Sequence, residues 1–294
     1  MPTPAPSTGR PARLPSPLLV FGLLCAIFVA PTPVVAADAP PAADAPVPSG
    51  GKVVKVYDGD TITLASGDKV RLRGVNTPEL KPAEPFGVDA RNAAAALIMG
   101  KEITLSYGPG DKRDGYGRLV ASIRFGEEDL ATMLVAKGLG HVFQIPPDNL
   151  DIATLLQLQD QARQQKLGIW SDPRYAHELH ITSFHANGRG EDARFVNGEY
   201  FRVANVSTAP VNLSGYSVLN IDNKRFDLPD LVVPAGHTVK ILSGKGKHQV
   251  DAARQLEAYL GSEGPIFDNK RDRVTILNKD AEVVDTREHY VQGG

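Results

Sequence analysis

Asp58 and Asp60 flank Gly59, Asn76 and Glu79 flank Thr77-Pro78, and Asp114 and Arg118 flank Gly115-Tyr116-Gly117. Arg71 and Arg73 stand between the first two groups. Hard cations such as Ca2+ take several oxygen ligands at about 2.3–2.6 Å, from carboxylates, carbonyls and water. Asp60 at a turn, with the Asn76 amide oxygen and the Thr77 carbonyl at a strand end, can supply such ligands. Glu79 lies slightly further along, at a distance suited to holding a water. Arginines carry planar forks that match phosphate oxygens bidentately. A metal, a positioned water and two guanidinium groups are the parts needed for in-line attack on a phosphodiester. Each signal has a plainer reading. Asp-Gly-Asp is commonly a turn with solvated acids, a strand arginine is commonly a surface residue, and Gly-Tyr-Gly-Arg is commonly a hairpin. Residue types alone do not choose Arg71 over Arg73. The combination carries the argument.

These residues need a scaffold. Val53, Val54, Val56 and Tyr57 precede the Asp-Gly-Asp turn and Thr61–Leu64 follows it, a strand–turn–strand pattern. Ser66-Gly67-Asp68 makes the next turn, and Lys69–Val75 reads as a third strand with Val70 and Leu72 on one face and Arg71 and Arg73 on the other. Pro78 ends it. A helix fits Asp89–Met99, strands fit Ile103–Tyr107 and Leu119–Phe125, and a short helix fits Asp129–Lys137. A longer helix starts near Asp151, with Leu155, Leu158 and Ala162 at helical spacing, and Trp170 follows it as a plug for the core. Five strands and three helices in this order suit a small closed barrel of OB type.

The whole chain has 294 residues, enough for about two domains, with a formal net charge of −2. That charge excludes a uniformly basic wrapper of nucleic acid. A single cysteine, Cys25, excludes disulfide scaffolds, CxxC zinc sites and iron–sulfur clusters. Leu18–Ala30 is an apolar run too short to span a hydrocarbon core, and with Val34-Val35-Ala36-Ala37 it reads as a secretory signal peptide, residues 1–36. An uncleaved anchor is the alternative. Residues 37–50 form an Ala/Pro-rich tether. The expected location is periplasmic or secreted, with no stable membrane span after cleavage.

VYDGDTITL, then VRLRGVNTPE, then RDGYGRLVASI, resemble the three motifs of the staphylococcal (thermo)nuclease family. The resemblance continues through LVAKGLGHVF and QARQQKLGIWSDP, so it covers the expected domain at 51–175 almost to its end. It implies a five-stranded OB-fold β-barrel with three helices and Ca2+-dependent hydrolysis of DNA or RNA, single-stranded or unpaired. It also implies cleavage of the 5′ P–O bond to leave 3′-phosphate ends. By position it assigns metal binding to Asp60, Asn76 and the Thr77 carbonyl, and catalysis to Arg71, Glu79 and Arg118, which decides against Arg73. Asp114 and Tyr116 fall beside the bound nucleotide. Two departures stand out. The second metal ligand is usually aspartate and here is Asn76, which still offers an oxygen but one negative charge fewer. Two base-stacking tyrosines are replaced by a stretch with only Phe143 nearby, and stacking contributes about 1–3 kcal/mol per base. Residues 51–175 hold 16 basic and 16 acidic side chains, so attraction to polyanions must be local.

Beyond Pro173 the pattern changes to short strand-like runs at 179–184, 199–205, 216–221, 239–242, 273–277 and 282–285. Turns such as Asn187-Gly188, Ser214-Gly215 and Pro234-Ala235-Gly236 separate them. Asp251–Leu260 reads as a helix. EYFRVANVSTAPVNLSGYSVLN, LPDLVVPAGHTVKILSGKG and IFDNKRDRVTILNKDAEVVD resemble the lamin tail domain, an Ig-like β-sandwich, across 178–290. Its motifs are structural, so it carries no catalytic residue and leaves its ligand unknown. Residues 176–294 hold 14 basic and 16 acidic side chains, which argues against nucleic acid for this half. His177 and His180 have the wrong spacing for a metalloprotease helix, and His185, His237 and His248 read as loop or surface residues.

The leading expectation is an exported Ca2+-dependent nuclease with a C-terminal sandwich. The alternatives are a weak or inactive OB-fold binding module and a surface-attachment protein led by the sandwich. Asn76→Asp restores the usual charge and should lower the Ca2+ concentration needed for half-maximal cleavage of denatured DNA. No change would remove Asn76 from the metal shell.

Overall fold

The computed structural model describes residues 47–186 and 196–290. The expected signal peptide, most of the tether and the Asn187-Gly188 turn lie outside the described residues. Strands β1 (Gly50–Val56), β2 (Thr61–Leu64) and β3 (Lys69–Leu72) run as an antiparallel meander, followed by the short β4 (Gly74–Asn76). After helix α1 (Gly87–Ile98) come β5 (Glu102–Tyr107), β6 (Leu119–Phe125) and β7 (Glu128–Asp129). β1 pairs with β5 and β5 with β6, while β3 pairs in parallel with β6 and closes the barrel. Closure leaves the five main strands without a free edge between them. Val53, Ile62, Leu64, Val70, Leu72, Leu105, Leu119 and Ile123 fill the interior, each less than 6% exposed.

The expected single strand Lys69–Val75 is two strands. The chain turns at Gly74, whose φ of +81° is left-handed. β4 then leaves the barrel to pair with β8 (His141–Phe143), which was not foreseen. Alternation continues across the break and therefore hides the change of partner. Helix α1 buries Ala90, Ala94 and Ile98, spaced four apart. Helix α2 (Leu130–Ala136) starts at Asp129, whose side chain accepts from the Thr132 amide at 2.9 Å. Helix α3 (Ala153–Gln164) buries Leu155, Gln159 and Ala162, with Leu158 only half-buried.

The second domain is a sandwich of two four-stranded sheets. One orders β16 (Leu256–Ser262), β15 (Thr238–Gly244), β10 (Tyr200–Asn205) and β9 (Leu179–His185). The other orders β13 (Arg225–Asp227), β12 (Ser217–Leu219), β17 (Arg271–Leu277) and β18 (Val283–Tyr290). The pair β11 (Val211–Asn212) and β14 (Val232–Val233) stands beside them. The second half of the helix expected at 251–260 is a strand. β16 pairs in parallel with β15 and buries Leu256 and Ala258, so burial at every second residue outweighs the helix-forming composition.

Barrel and sandwich are tightly docked. The Gln144 amide donates to the Gly236 carbonyl at 2.9 Å, and the Thr238 amide donates back to the Gln144 carbonyl at 3.2 Å. Gly236 has φ +72°, and a β-carbon there would come within 2.8 Å of Val142. Gln159 is fully buried: its Oε1 accepts from the Val142 amide at 2.7 Å and its Nε2 donates to the Val206 carbonyl at 3.0 Å. Trp170, expected to plug the barrel, instead joins Ala162, Ile169, Tyr175, Ala204 and Val206 in an apolar cluster shared by both domains. Arg163 lies over the Trp170 ring at 5.5 Å.

His141 lies against this cluster, fully buried, with its ring 5.6 Å from that of His180 and 6.1 Å from that of Tyr175. Burial, and then the neighbouring His180, push its pKa down to about 3. An unfolded histidine titrates near 6.5, so the unfolded chain takes up a proton that the folded one refuses. The stability due to neutral His141 is therefore full above that value and is lost as pH falls towards about 3. Between pH 7 and pH 5 the loss is about 2 kcal/mol. His141→Phe should flatten the pH dependence of urea denaturation by that amount; an unchanged slope would assign the sensitivity to another group.

Candidate active site

The hairpin between β1 and β2 turns the Asp58-Gly59-Asp60 segment inward. Asp58 and Asp60 are only 6% and 5% exposed, so these are not solvated turn acids. Asp58 Oδ1 accepts from the Asp60 amide at 3.1 Å. Asp60 Oδ2 accepts from the Thr77 amide at 2.7 Å and from the Thr77 hydroxyl at 3.0 Å, joining the hairpin to the end of β4.

Arg71 extends from β3 into the same place. Its Nε lies 3.2 Å from Asp60 Oδ1, and an Nη donates to Asn76 Oδ1 at 2.9 Å. The other Nη donates to the Leu72 and Val75 carbonyls at 2.6 and 2.7 Å. Phe143 of β8 lies under the guanidinium, 5.8 Å from its carbon. Arg73 is used elsewhere: its Nε donates to Asp148 at 2.6 Å and it reaches Asn149 at 3.1 Å. The neighbouring arginines thus separate into a site residue and a loop anchor.

Arg118 and Asp114 pair through the Gly115–Gly117 turn, Nε to Oδ2 at 2.8 Å, and Asp114 Oδ1 accepts from the Tyr116 amide at 2.9 Å. Tyr116 is 70% exposed, its ring 5.3 Å from the Arg118 guanidinium carbon. Arg71, Asp114, Arg118 and Phe143 line one cleft of about 510 Å³. Glu79 borders a second cleft, of about 700 Å³, between the barrel and the sandwich.

The acids here are electrostatically linked. Burial, then Asp60 and Glu79, raise the Asp58 pKa to about 7. Burial, then Asp60 and Glu84, raise that of Glu79, while Arg71 and Arg287 oppose the rise. Carboxylates crowded around one guanidinium form an environment that a divalent cation relieves. Among the described residues no group of three His, Cys, Asp or Glu side chains is arranged to hold a metal by itself. The donors available are instead one carboxylate (Asp60), one amide oxygen (Asn76) and one peptide carbonyl (Thr77). This all-oxygen set fits Ca2+, and Arg71 engages its two side-chain members.

Sequence reasoning missed a brace on the Glu79 loop. Glu84 Oε2 accepts from the Glu79 amide at 2.8 Å, and the Glu84 amide donates to the Glu79 carbonyl at 2.9 Å. Glu84 Oε1 meets Arg287 of β18 at 2.9 Å. The separation of Arg287 in the chain left no spacing signal to find.

The staphylococcal nuclease homologue family model matches residues 69–172, and the lamin tail domain model matches residues 173–290. Endonuclease YncB of Bacillus subtilis is 33% identical over 129 residues, covering 41% of this chain and 61% of that protein. The chain thus spans less than two thirds of that relative's length. Thermonuclease of Staphylococcus intermedius is 32% identical over 125 residues, covering 40% of this chain and 74% of that protein. An uncharacterized endonuclease of Escherichia coli is 35% identical over 124 residues, covering 42% of this chain and 77% of that protein. By these matches, and by the closed barrel that carries its motifs, the chain belongs to the staphylococcal nuclease family, with a lamin tail domain following the nuclease-type barrel.

Proposed function

We propose that this chain is an exported, Ca2+-dependent nuclease that hydrolyses phosphodiester bonds in single-stranded or unpaired DNA or RNA. Kinship with proteins named thermonuclease and endonuclease supports a nuclease-like function. The observation that carries the finer reading is Arg71: it engages the side-chain oxygens of Asp60 and Asn76 and lines one cleft with Arg118. Export is supported by the short apolar run Leu18–Ala30 and the small residues after it.

Asp60, Asn76 and the Thr77 carbonyl would hold Ca2+, which supplies positive charge beside the scissile phosphate. Arg71 and Arg118 grip the phosphate oxygens and offset the charge that builds as the phosphorus becomes five-coordinate. Glu79 orients a water and takes its proton. Its raised pKa makes it a stronger base than a solvated glutamate. The water oxygen bonds to phosphorus and the 5′ P–O bond breaks with its electron pair on the 5′ oxygen. That oxygen takes a proton from solvent to become a 5′-hydroxyl, and the other new end is a 3′-phosphate. Asp114 holds Arg118 at its post, and Tyr116 and Phe143 offer aromatic surface to the nucleotide.

The runner-up is a binding module with little or no catalysis, favoured by the charge missing at Asn76 and by the scarcity of stacking aromatics. One assay separates the two. Residues 38–294 incubated with denatured DNA or RNA should cleave in Ca2+ and stop in chelator. Arg71→Ala should lower the rate by about 10²-fold or more. Retardation of the strand without cleavage at any Ca2+ concentration supports the binding module, and cleavage that persists in chelator overturns the metal-assisted mechanism.

A further inference from the structure

The outer face of the first sandwich sheet carries two neighbouring cations, with Glu257 of β16 in register beside Lys240. Arg202 of β10 and Lys240 of β15 are direct cross-strand partners. Both are half-buried, and neither forms an ion pair among the described residues. Arg202 is held by neutral groups, Gln255 Oε1 and, at 3.4 Å, the Thr238 hydroxyl. Lys240 Nζ lies 4.2 Å from the centre of the Tyr200 ring, and His185 of β9 stacks on that ring at 4.3 Å. The pKa of Lys240 is lowered by burial despite Glu257, and Arg202 adds to the fall. After burial, Arg202, Lys240, His289 and Arg287 all lower that of His185. Among the described residues, Arg202 and Lys240 thus outnumber Glu257, the carboxylate that the register sets beside them, although the domain as a whole is slightly acidic. Two half-buried cations that share one neighbouring carboxylate stay under-compensated, and an anion placed among them offsets that.

The face also adjoins the candidate active site at two points. Tyr116 lies within electrostatic range of both Tyr200 and Arg202. His185, Arg287 and His289 line the cleft that Glu79 borders.

Resting on the nuclease reading above, we propose that Arg202 and Lys240, framed by His185 and Tyr200, form a phosphate subsite on the sandwich that holds the nucleic-acid strand where it runs beyond the cleavage cleft. The occupant is a polyanion already at the neighbouring site. The subsite needs a strand several nucleotides long, because a dinucleotide is confined to the barrel.

The test measures binding in the full chain carrying Glu79→Gln, which keeps the strand uncut. Fluorescence anisotropy with labelled di- and decathymidylate in Ca2+ should show tighter binding of the longer strand. Lys240→Ala should weaken decathymidylate binding about fivefold and Lys240→Glu further, with the salt dependence of log K falling by about 0.7. Dithymidylate affinity should stay within about twofold, so that the length preference disappears. Arg202→Gln, on a more enclosed residue, should act in the same direction. Unchanged decathymidylate binding in Lys240→Glu overturns the subsite, as does an equal loss for both lengths. If the wild-type chain cleaves nothing while the length-selective loss persists, hydrolysis fails and the subsite stands.

Discussion

Much of the site depends on one guanidinium. Arg71 contacts Asp60 on the hairpin, Asn76 at the end of β4, and two carbonyls of its own turn. It fastens separate segments into one wall and partly neutralises acids that would otherwise repel each other. Thr77 completes the fastening by donating twice to Asp60. The same contacts explain why the two neighbouring arginines differ, since Arg73 is committed to the Asp148 loop. A guanidinium suits this position because its planar donors reach several acceptors at once.

The sandwich is more than an appendage on a tether. It contributes Gly236 and Thr238 to a two-bond bridge with Gln144, and Ala204 and Val206 to the cluster around Trp170. Arg287 reaches Glu84 and so supports the loop bearing Glu79. A chain of contacts therefore runs from β18 of the sandwich to the candidate general base, about 200 residues away in sequence.

The barrel strands, the three helices and the turns around Asp60 and Arg118 were legible because alternation, capping and glycine act locally. β8 was not, because His141–Phe143 is short and gains its meaning only from pairing with β4. The strand at 256–262 was misread because a parallel partner, not local preference, decides it. Residue types marked the oxygen donors and arginines, while the choice of Arg71 needed a family pattern. His185, read from sequence as a loop residue, ends a strand and stacks on Tyr200.

The shared Trp170 cluster makes the two domains interdependent in one further sense. A protease that trimmed away the sandwich would not liberate a clean, smaller enzyme. It would strip the cover from Ile169, Trp170 and Tyr175 and leave the edge at Gln144 unpaired. The remnant would be sticky, prone to self-association, and easily digested further.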